Sequence, residues 1–248
     1  MVRTLAASRG IASGRTLEGV LPLAPELWAW WKMDEASGNL ADSTGNGNTI
    51  TEVGTVPSAA GKIGNARGPY SADNYFQFAT TPIAGIGQPF TLLAWGKYTA
   101  NATVQALIEQ GQTDAGISGP LIRVTDDSKL RVANHTSGLI LTGTTTIADG
   151  WHHFAVTSDG ENLTGYLDGE IEVGPTFHSA ITTDMHRLNI GRRVFNSAAI
   201  WNDLIDLCGV VTTRAWTLAE IRNLYRSGLG LDYPFSLLRG VAIGRQVA

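Results

Sequence analysis

The feature that most restricts this chain is a recurrence of short apolar segments, parted by turn residues, with one helical period near the end. From Trp28 to about Asp206 the strand signals include "LWAWWKM", "NYFQFAT", "FTLLAWGKY", "VQALIEQ", "LIRVT", "KLRVAN" and "HRLNIGRR". Gly, Asn, Asp and Pro separate them, and no helical pattern intervenes. Many short strands with regular turn chemistry predict an all-β sandwich or jelly roll.

Residues 151–169, "WHHFAVTSDGENLTGYLDG", show the pattern most fully. Trp151, His153, Ala155 and Thr157 alternate with His152, Phe154, Val156 and Ser158. Asp159-Gly160 tolerates the positive φ of a tight turn. Leu163, Gly165 and Leu167 then alternate with Thr164, Tyr166 and Asp168 before Asp168-Gly169 turns the chain again. This reads as an antiparallel hairpin of a large sheet.

The helical period lies in "RAWTLAEIRNLYRSG". Thr217 is the expected N-cap and Glu220 completes a capping box. Trp216 and Ile221 are spaced for a hydrophobic staple, and Gly228 is the expected terminator. Leu218, Ile221, Leu224 and Tyr225 share one face, so the helix is expected to latch onto a sheet. Three parts result: an arm at residues 1–26, a sandwich domain at 27–230 and a second arm at 231–248. The first arm is broken by Arg3, Arg9, Arg15 and several glycines, with no continuous apolar stretch of a secretory leader. The second carries Phe235, Leu237, Leu238, Val241 and Ile243.

Composition narrows the function. Apolar residues are 43% and charged residues 16%, enough for a core and too few charges for disorder. A formal charge of −4 with no dense basic stripe argues against nucleic acid. No segment approaches the length of an apolar membrane helix. The single cysteine, Cys208, excludes an internal disulfide and is expected to be a buried, inert thiol.

Six pieces in order resemble laminin-G-like jelly rolls of the concanavalin A-like lectin and glucanase superfamily. They are "LWAWWKMDEASGNLADSTGNGN", "GKIGNA" at 61–66, "FTLLAWGK" at 90–97, "GWHHFAVTSDGENLTGYLDG", "LNIGRR" and, after Asp206, "TLAEIRNLY". The resemblance spans about residues 27–228. It implies a concanavalin A-like jelly-roll sandwich of two antiparallel sheets with one short C-terminal helix, Trp151 as a core anchor and Asp168-Gly169 as a hairpin corner, and the extended terminal arms lie outside it. One departure is Leu207, which stands where the family commonly has an acid beside Asp206.

The same resemblance implies one structural calcium at the sandwich rim. Carried over, its ligands are Asp42 and Asp206, with Asn46 and Asn48 contributing side-chain or carbonyl oxygens. The loop "ADSTGNGNTI" is oxygen-rich in its own right, but Asx-turns explain it equally well.

No catalytic residue is assigned. Retaining glycosidases need two carboxyl groups ~5 Å apart, and Asp168, Glu170 and Glu172 have strand spacing. The Asp168-Gly169 turn breaks that strand, however, which leaves Glu170 and Glu172 as solvated edge charges. Adjacent His152 and His153 point to opposite faces and cannot act together.

Three functional readings follow. The first in expectation is a non-enzymatic virion (phage) surface or decoration protein. It would assemble as a multimer through both arms with neighbouring shell subunits. The alternative is a carbohydrate-binding module, at an extracellular or cell surface, with Trp201, Asn202, Tyr98 and Tyr75 as candidate sugar contacts. A glycan hydrolase is the least expected. Neither a membrane nor nucleic acid is expected as a partner.

Overall fold

The computed structural model describes residues 26–80, 82–83, 87–112, 118–134, 138–178, 187–196 and 198–235. Two antiparallel sheets stack face to face. Sheet I joins β13 (Glu170–Phe177), β12 (Asn162–Leu167), β11 (Gly150–Ser158), β6 (Phe90–Tyr98), β15 (Ile205–Val211), β4 (Asn65–Arg67) and β3 (Ser58–Ala60) in that order, with β1 (Leu27–Trp31) also paired to β15. Sheet II runs β10 (Leu139–Thr146), β9 (Lys129–Asn134), β8 (Ser118–Val124), β7 (Gln105–Gly111), β14 (Arg187–Ile190), β5 (Tyr75–Phe78) and β2 (Thr51–Val53). The all-β jelly-roll expectation is met. β6 and β9 match the sequence reading residue for residue, whereas β2, β3, β4 and β10 carried no strand expectation. Strands of three residues are too short to display a period.

Sheet I is buried on both sides, which explains why β6 reads as a continuous apolar run. Leu92 and Ala94 enter the core between the sheets, while Leu93 and Trp95 face outward into a second apolar layer. β11 divides likewise, with Phe154 and Val156 inside and His153 and Ala155 outside. The outer layer is roofed by α1 (Leu218–Tyr225) through Trp216, Ile221 and Leu224. Burying Ile221 and Leu224 contributes about 1.5–3 kcal/mol each.

The capping box is present. Thr217 Oγ1 accepts from the Glu220 amide, and the Thr217 amide donates to Glu220 Oε2 at 2.8 Å. The helix stops before Gly228, because Arg226 takes the left-handed cap position at φ 49°. A non-glycine residue there costs about 1–2 kcal/mol.

The Asp168-Gly169 corner is a two-residue hairpin loop with φ of 51° and 82°, both positive as a type I′ turn demands. Gly209 answers a different need. A Cβ there would lie 2.6 Å from the Trp30 ring, so glycine lets β15 pass directly beneath the indole.

One expectation requires correction. Trp151 is only half-buried, at the margin of the outer layer, and the fully enclosed anchors are Trp30, Trp31, Trp95, Trp201 and Trp216. Within the expected arms, Glu26 and residues 231–235 are the described part. Glu26 pairs with Arg214 at 2.7 Å, and Phe235 meets Trp30 edge to face at 5.1 Å. The described start of the C-terminal arm thus packs on its own sheet, where Trp30 leaves an apolar surface to cover. Residues 1–25 and 236–248, on which the rest of the arm expectation falls, lie outside the described residues.

Candidate functional site

Strand alternation turns a mixed polar and apolar row to the outer face of sheet II, in which Glu109, Asn189, Leu121 and Ala133 are themselves buried. Phe76, Leu188, Ile190, Ile122, Leu130 and Val132 fill the core, so their neighbours point away from it. Cross-strand register then aligns Thr51, Gln77, Asn189, Glu109, Leu121, Ala133 and Ile140 in a single row. Arg123, Arg131 and Thr142 form a second row beside it.

The row is internally wired. Gln77 Nε2 donates to Asn189 Oδ1 at 3.3 Å, and Asn189 Nδ2 reaches the Arg193 carbonyl at 3.5 Å. Arg123 donates through Nε at 2.8 Å and Nη2 at 2.5 Å to Glu109 Oε2, and Glu109 Oε1 accepts from the Val194 amide at 3.3 Å.

A loop after β14 folds over this face. Gly191 donates to Leu107 O, Arg193 to Ala199 O and Trp201 to Gly191 O, each at 2.9 Å, so the loop is pinned at both ends. It sets the Arg192 guanidinium 4.6 Å above the Tyr75 ring and that of Arg193 5.8 Å from Phe195. The Nε atoms of both arginines are buried without a hydrogen-bond partner. Burial, and after it the nearby Arg123, hold the Arg193 guanidinium below its ordinary range, with Glu109 pulling the other way. The arrangement offers hydrogen-bonding amides, flat ring–guanidinium surfaces and surplus positive charge.

A second concavity of about 350 Å³ opens on the helix side between Lys32, Ile63, Arg226 and residues 230–234. Lys32 and Asp232 pair across it at 2.7 Å, and Trp30 Nε1 also donates to Asp232 at 3.0 Å.

The expected calcium ligands do not converge. Asp42 Oδ1 accepts from the Trp30 and Thr44 amides and Oδ2 from the Asn48 amide, while Thr44 Oγ1 contacts both oxygens. Asn46 and Asn48 direct their Nδ2 groups at the Leu27 and Trp28 carbonyls. Asp206 lies elsewhere, beyond β1: Trp31 bridges to Asp42 on one side and pairs with Cys208 on the other. Its Oδ2 accepts from the Lys62 and Ile63 amides at 2.8 and 3.0 Å, and its Oδ1 is buried without a partner. Two strand spacings, about 10 Å, separate the two places, and a calcium shell binds oxygens within about 2.6 Å. The four residues therefore do not fit one ion. Among the described residues no cluster of three His, Cys, Asp or Glu is placed to hold a metal.

The candidate sugar contacts are mostly core residues. Trp201, Tyr98 and Tyr75 are buried at 0%, 1% and 8% exposure, and Trp201 meets Phe154 edge to face at 5.8 Å. The acidic trio also disperses. Asp168 Oδ2 meets His152 Nδ1 at 2.7 Å, while Glu170 pairs with Arg222 of α1. Glu172 turns to β10 and accepts from the Thr144 and Thr145 amides at 2.6 and 2.7 Å. Glu170 and Glu172 are thus partnered rather than merely solvated, because a bulge in the β12–β13 register sends them apart.

The histidines do part to opposite faces. Burial lowers His152, but the Asp168 hydrogen bond, the charge of Asp168 and the bond to the Ala148 carbonyl together outweigh it, and the net shift is upward. His153 is enclosed by Trp95 and Tyr225 with both ring nitrogens unpartnered, and burial lowers its pKa to about 4. Cys208 is buried, and burial raises its thiol well above the usual range. The arginines of sheet II were absent from the candidates. Their signal was the outward phase of Arg123 in "LIRVT" and Arg131 in "KLRVAN".

Comparison with known proteins fits this architecture. The laminin-G-like profile of the concanavalin A-like lectin/glucanases superfamily matches residues 70–222. No curated protein sequence matches significantly. Among solved structures, domain 4 of AbnA, a GH43 extracellular arabinanase from Geobacillus stearothermophilus in complex with arabinotriose, is similar at TM-score 0.59 and 21% identity. That likeness covers 83% of this chain and 98% of that one. Trypanosoma rangeli sialidase in complex with sialic acid is similar at TM-score 0.66 and 14% identity, over 86% of this chain and 35% of its own. The binding domain of Paraclostridial mosquitocidal protein 1 gives TM-score 0.61 and 13% identity, over 84% and 53%. At such identities the likeness is one of fold.

Proposed function

The chain belongs to the concanavalin A-like lectin/glucanases superfamily, and we propose that it is a non-enzymatic carbohydrate-binding module that reads its ligand on the outer face of sheet II. The observation that carries this reading is the pair of ring–guanidinium stacks, Arg192–Tyr75 and Arg193–Phe195, with the half-buried Gln77 amide on the same face. Sugar sites combine flat apolar surfaces with a few convergent polar groups, and this face holds both. The arabinanase domain, whose structure contains arabinotriose, lends support by analogy of fold. Hydrolysis is disfavoured because Asp168, Glu170 and Glu172 are each engaged by a different partner.

The test is a panel of immobilised neutral and acidic glycans, with reducing-end release measured in parallel. Retention on at least one glycan, weakened by Gln77→Ala or Phe195→Ala and without release of reducing ends, is the expected result. Failure to bind any glycan overturns the module reading, and hydrolysis overturns the non-enzymatic one.

A second reading, a multimeric virion surface component, is favoured by exposed apolar side chains: Phe177 and Leu229 are 70% and 68% exposed. Under it the protein resides in a particle with shell subunits as partners. Sedimentation of the purified chain with and without particles tests it, and a monomer that never co-sediments overturns it.

A further inference from the structure

We infer that the saccharide bound on the outer face of sheet II is an acidic one, its carboxylate gripped by Arg193 and Arg192; the inference rests on the glycan-binding reading above. The chain is acidic overall, at −4. Yet this face and its covering loop carry Arg123, Arg131, Arg187, Arg192 and Arg193, of which Arg123 is paired with Glu109. Such concentration of one sign on a protein of the opposite net sign marks a binding surface rather than a solubility device.

Glu109 is chiefly engaged elsewhere. Its Oε2 takes two bonds from Arg123 and its Oε1 takes the Val194 amide. Arg193 stands beside Arg123, whose repulsion adds to burial in disfavouring its cation, and Glu109 offsets only part of this. An incoming anion relieves both. The guanidinium planes are pre-set by the Tyr75 and Phe195 rings at 4.6 and 5.8 Å, and both Nε donors are unpartnered. A planar carboxylate matches a fixed guanidinium fork with two parallel hydrogen bonds. The half-buried Gln77 amide on the same face supplies a polar group for sugar hydroxyls. The net negative charge of the chain opposes a long polyanion such as nucleic acid.

The experiment is calorimetric titration of the full chain with two carboxylate sugars from different sources, tri-galacturonate and 3′-sialyllactose. Methyl-esterified tri-galacturonate, lactose and an arabinan oligosaccharide serve as neutral comparisons. Binding of either acid at least tenfold tighter than its neutral counterpart supports the inference, and the binding arm identifies the source. Affinity should fall at least tenfold in Arg193→Gln, recover partly in Arg193→Lys, and weaken between 0.05 and 0.5 M salt. Should Arg193→Gln fold poorly, Arg192→Gln carries the same expectation. Equal binding of acidic and neutral sugars, untouched by these substitutions, overturns the inference and leaves the module reading intact. Absence of binding to every sugar removes both.

Discussion

Arg123 donates twice to one oxygen of Glu109, from Nε at 2.8 Å and Nη2 at 2.5 Å, on a face where their side chains are only 6% and 0% exposed. The two residues sit diagonally on β8 and β7, since Leu121 is the register partner of Glu109. Breaking a buried pair leaves one charge uncompensated, which costs about 3–5 kcal/mol. Glu109→Gln is expected to lose that much in urea unfolding, because Arg193 stands beside the orphaned guanidinium. A loss under about 1 kcal/mol would show that water screens the pair.

The tryptophans separate by burial. Trp201→Ala removes a fully enclosed side chain wedged against Phe154 and Tyr98, so a loss of about 3–5 kcal/mol is expected. Trp151→Ala trims a half-buried ring, and about 1 kcal/mol is expected. Equal losses in denaturant melts would contradict this ranking.

Two buried groups give opposite pH responses. His153 falls from 6.5 to about 4, so the folded state resists a proton that the unfolded chain accepts. Its effect is nil above pH 6.5, and up to about 3 kcal/mol of stability is lost as pH falls toward 4. His153→Phe should flatten that acid limb. Asp206 moves the other way, from 3.8 to about 8, because burial outweighs the Ile63, Lys62 and Leu207 amides that favour its charged form, while Asp34 adds repulsion. Its contribution is full below pH 4 and is lost as pH rises toward 8. Asp206→Asn should therefore gain stability over the parent at pH 8 and differ little at pH 4. Parallel stability–pH curves for parent and variants would refute both assignments.

The Asp42 loop makes a prediction about calcium. Both carboxylate oxygens are already occupied by amides of the chain, and Asp206 stands on the far side of β1. Millimolar calcium is expected to leave the melting temperature unchanged. A rise of several degrees that Asp42→Ala abolishes would restore the rim site.

Gly209 offers a packing test. Its substitution by Ala drives a methyl to 2.6 Å from the Trp30 ring, and overpacking of this kind costs about 1–3 kcal/mol. Thermal melts read it directly. No change would mean that the indole has room to move.

The sequence alone determined what is local: a tight turn, a capped helix, an alternating strand. Asp168-Gly169 adopts positive φ because those residues tolerate it, and Thr217 caps α1 because its hydroxyl and Glu220 are three residues apart. The outward phase of Arg123 and Arg131 was equally legible, since side-chain direction in a strand follows from a period of two. What period cannot express is which face meets which. Trp201 and Tyr98 were candidate sugar contacts by residue type and are core, because burial is a property of two sheets meeting. Asp42 and Asp206, 164 residues apart in a chain of 248, were grouped by resemblance, and the strand order alone put β1 between them. The arginine face arose the same way. Arg123 and Arg193 lie on segments that only sheet pairing makes neighbours, and long-range charge proximity is fixed by tertiary packing, which carries no local signature in the chain.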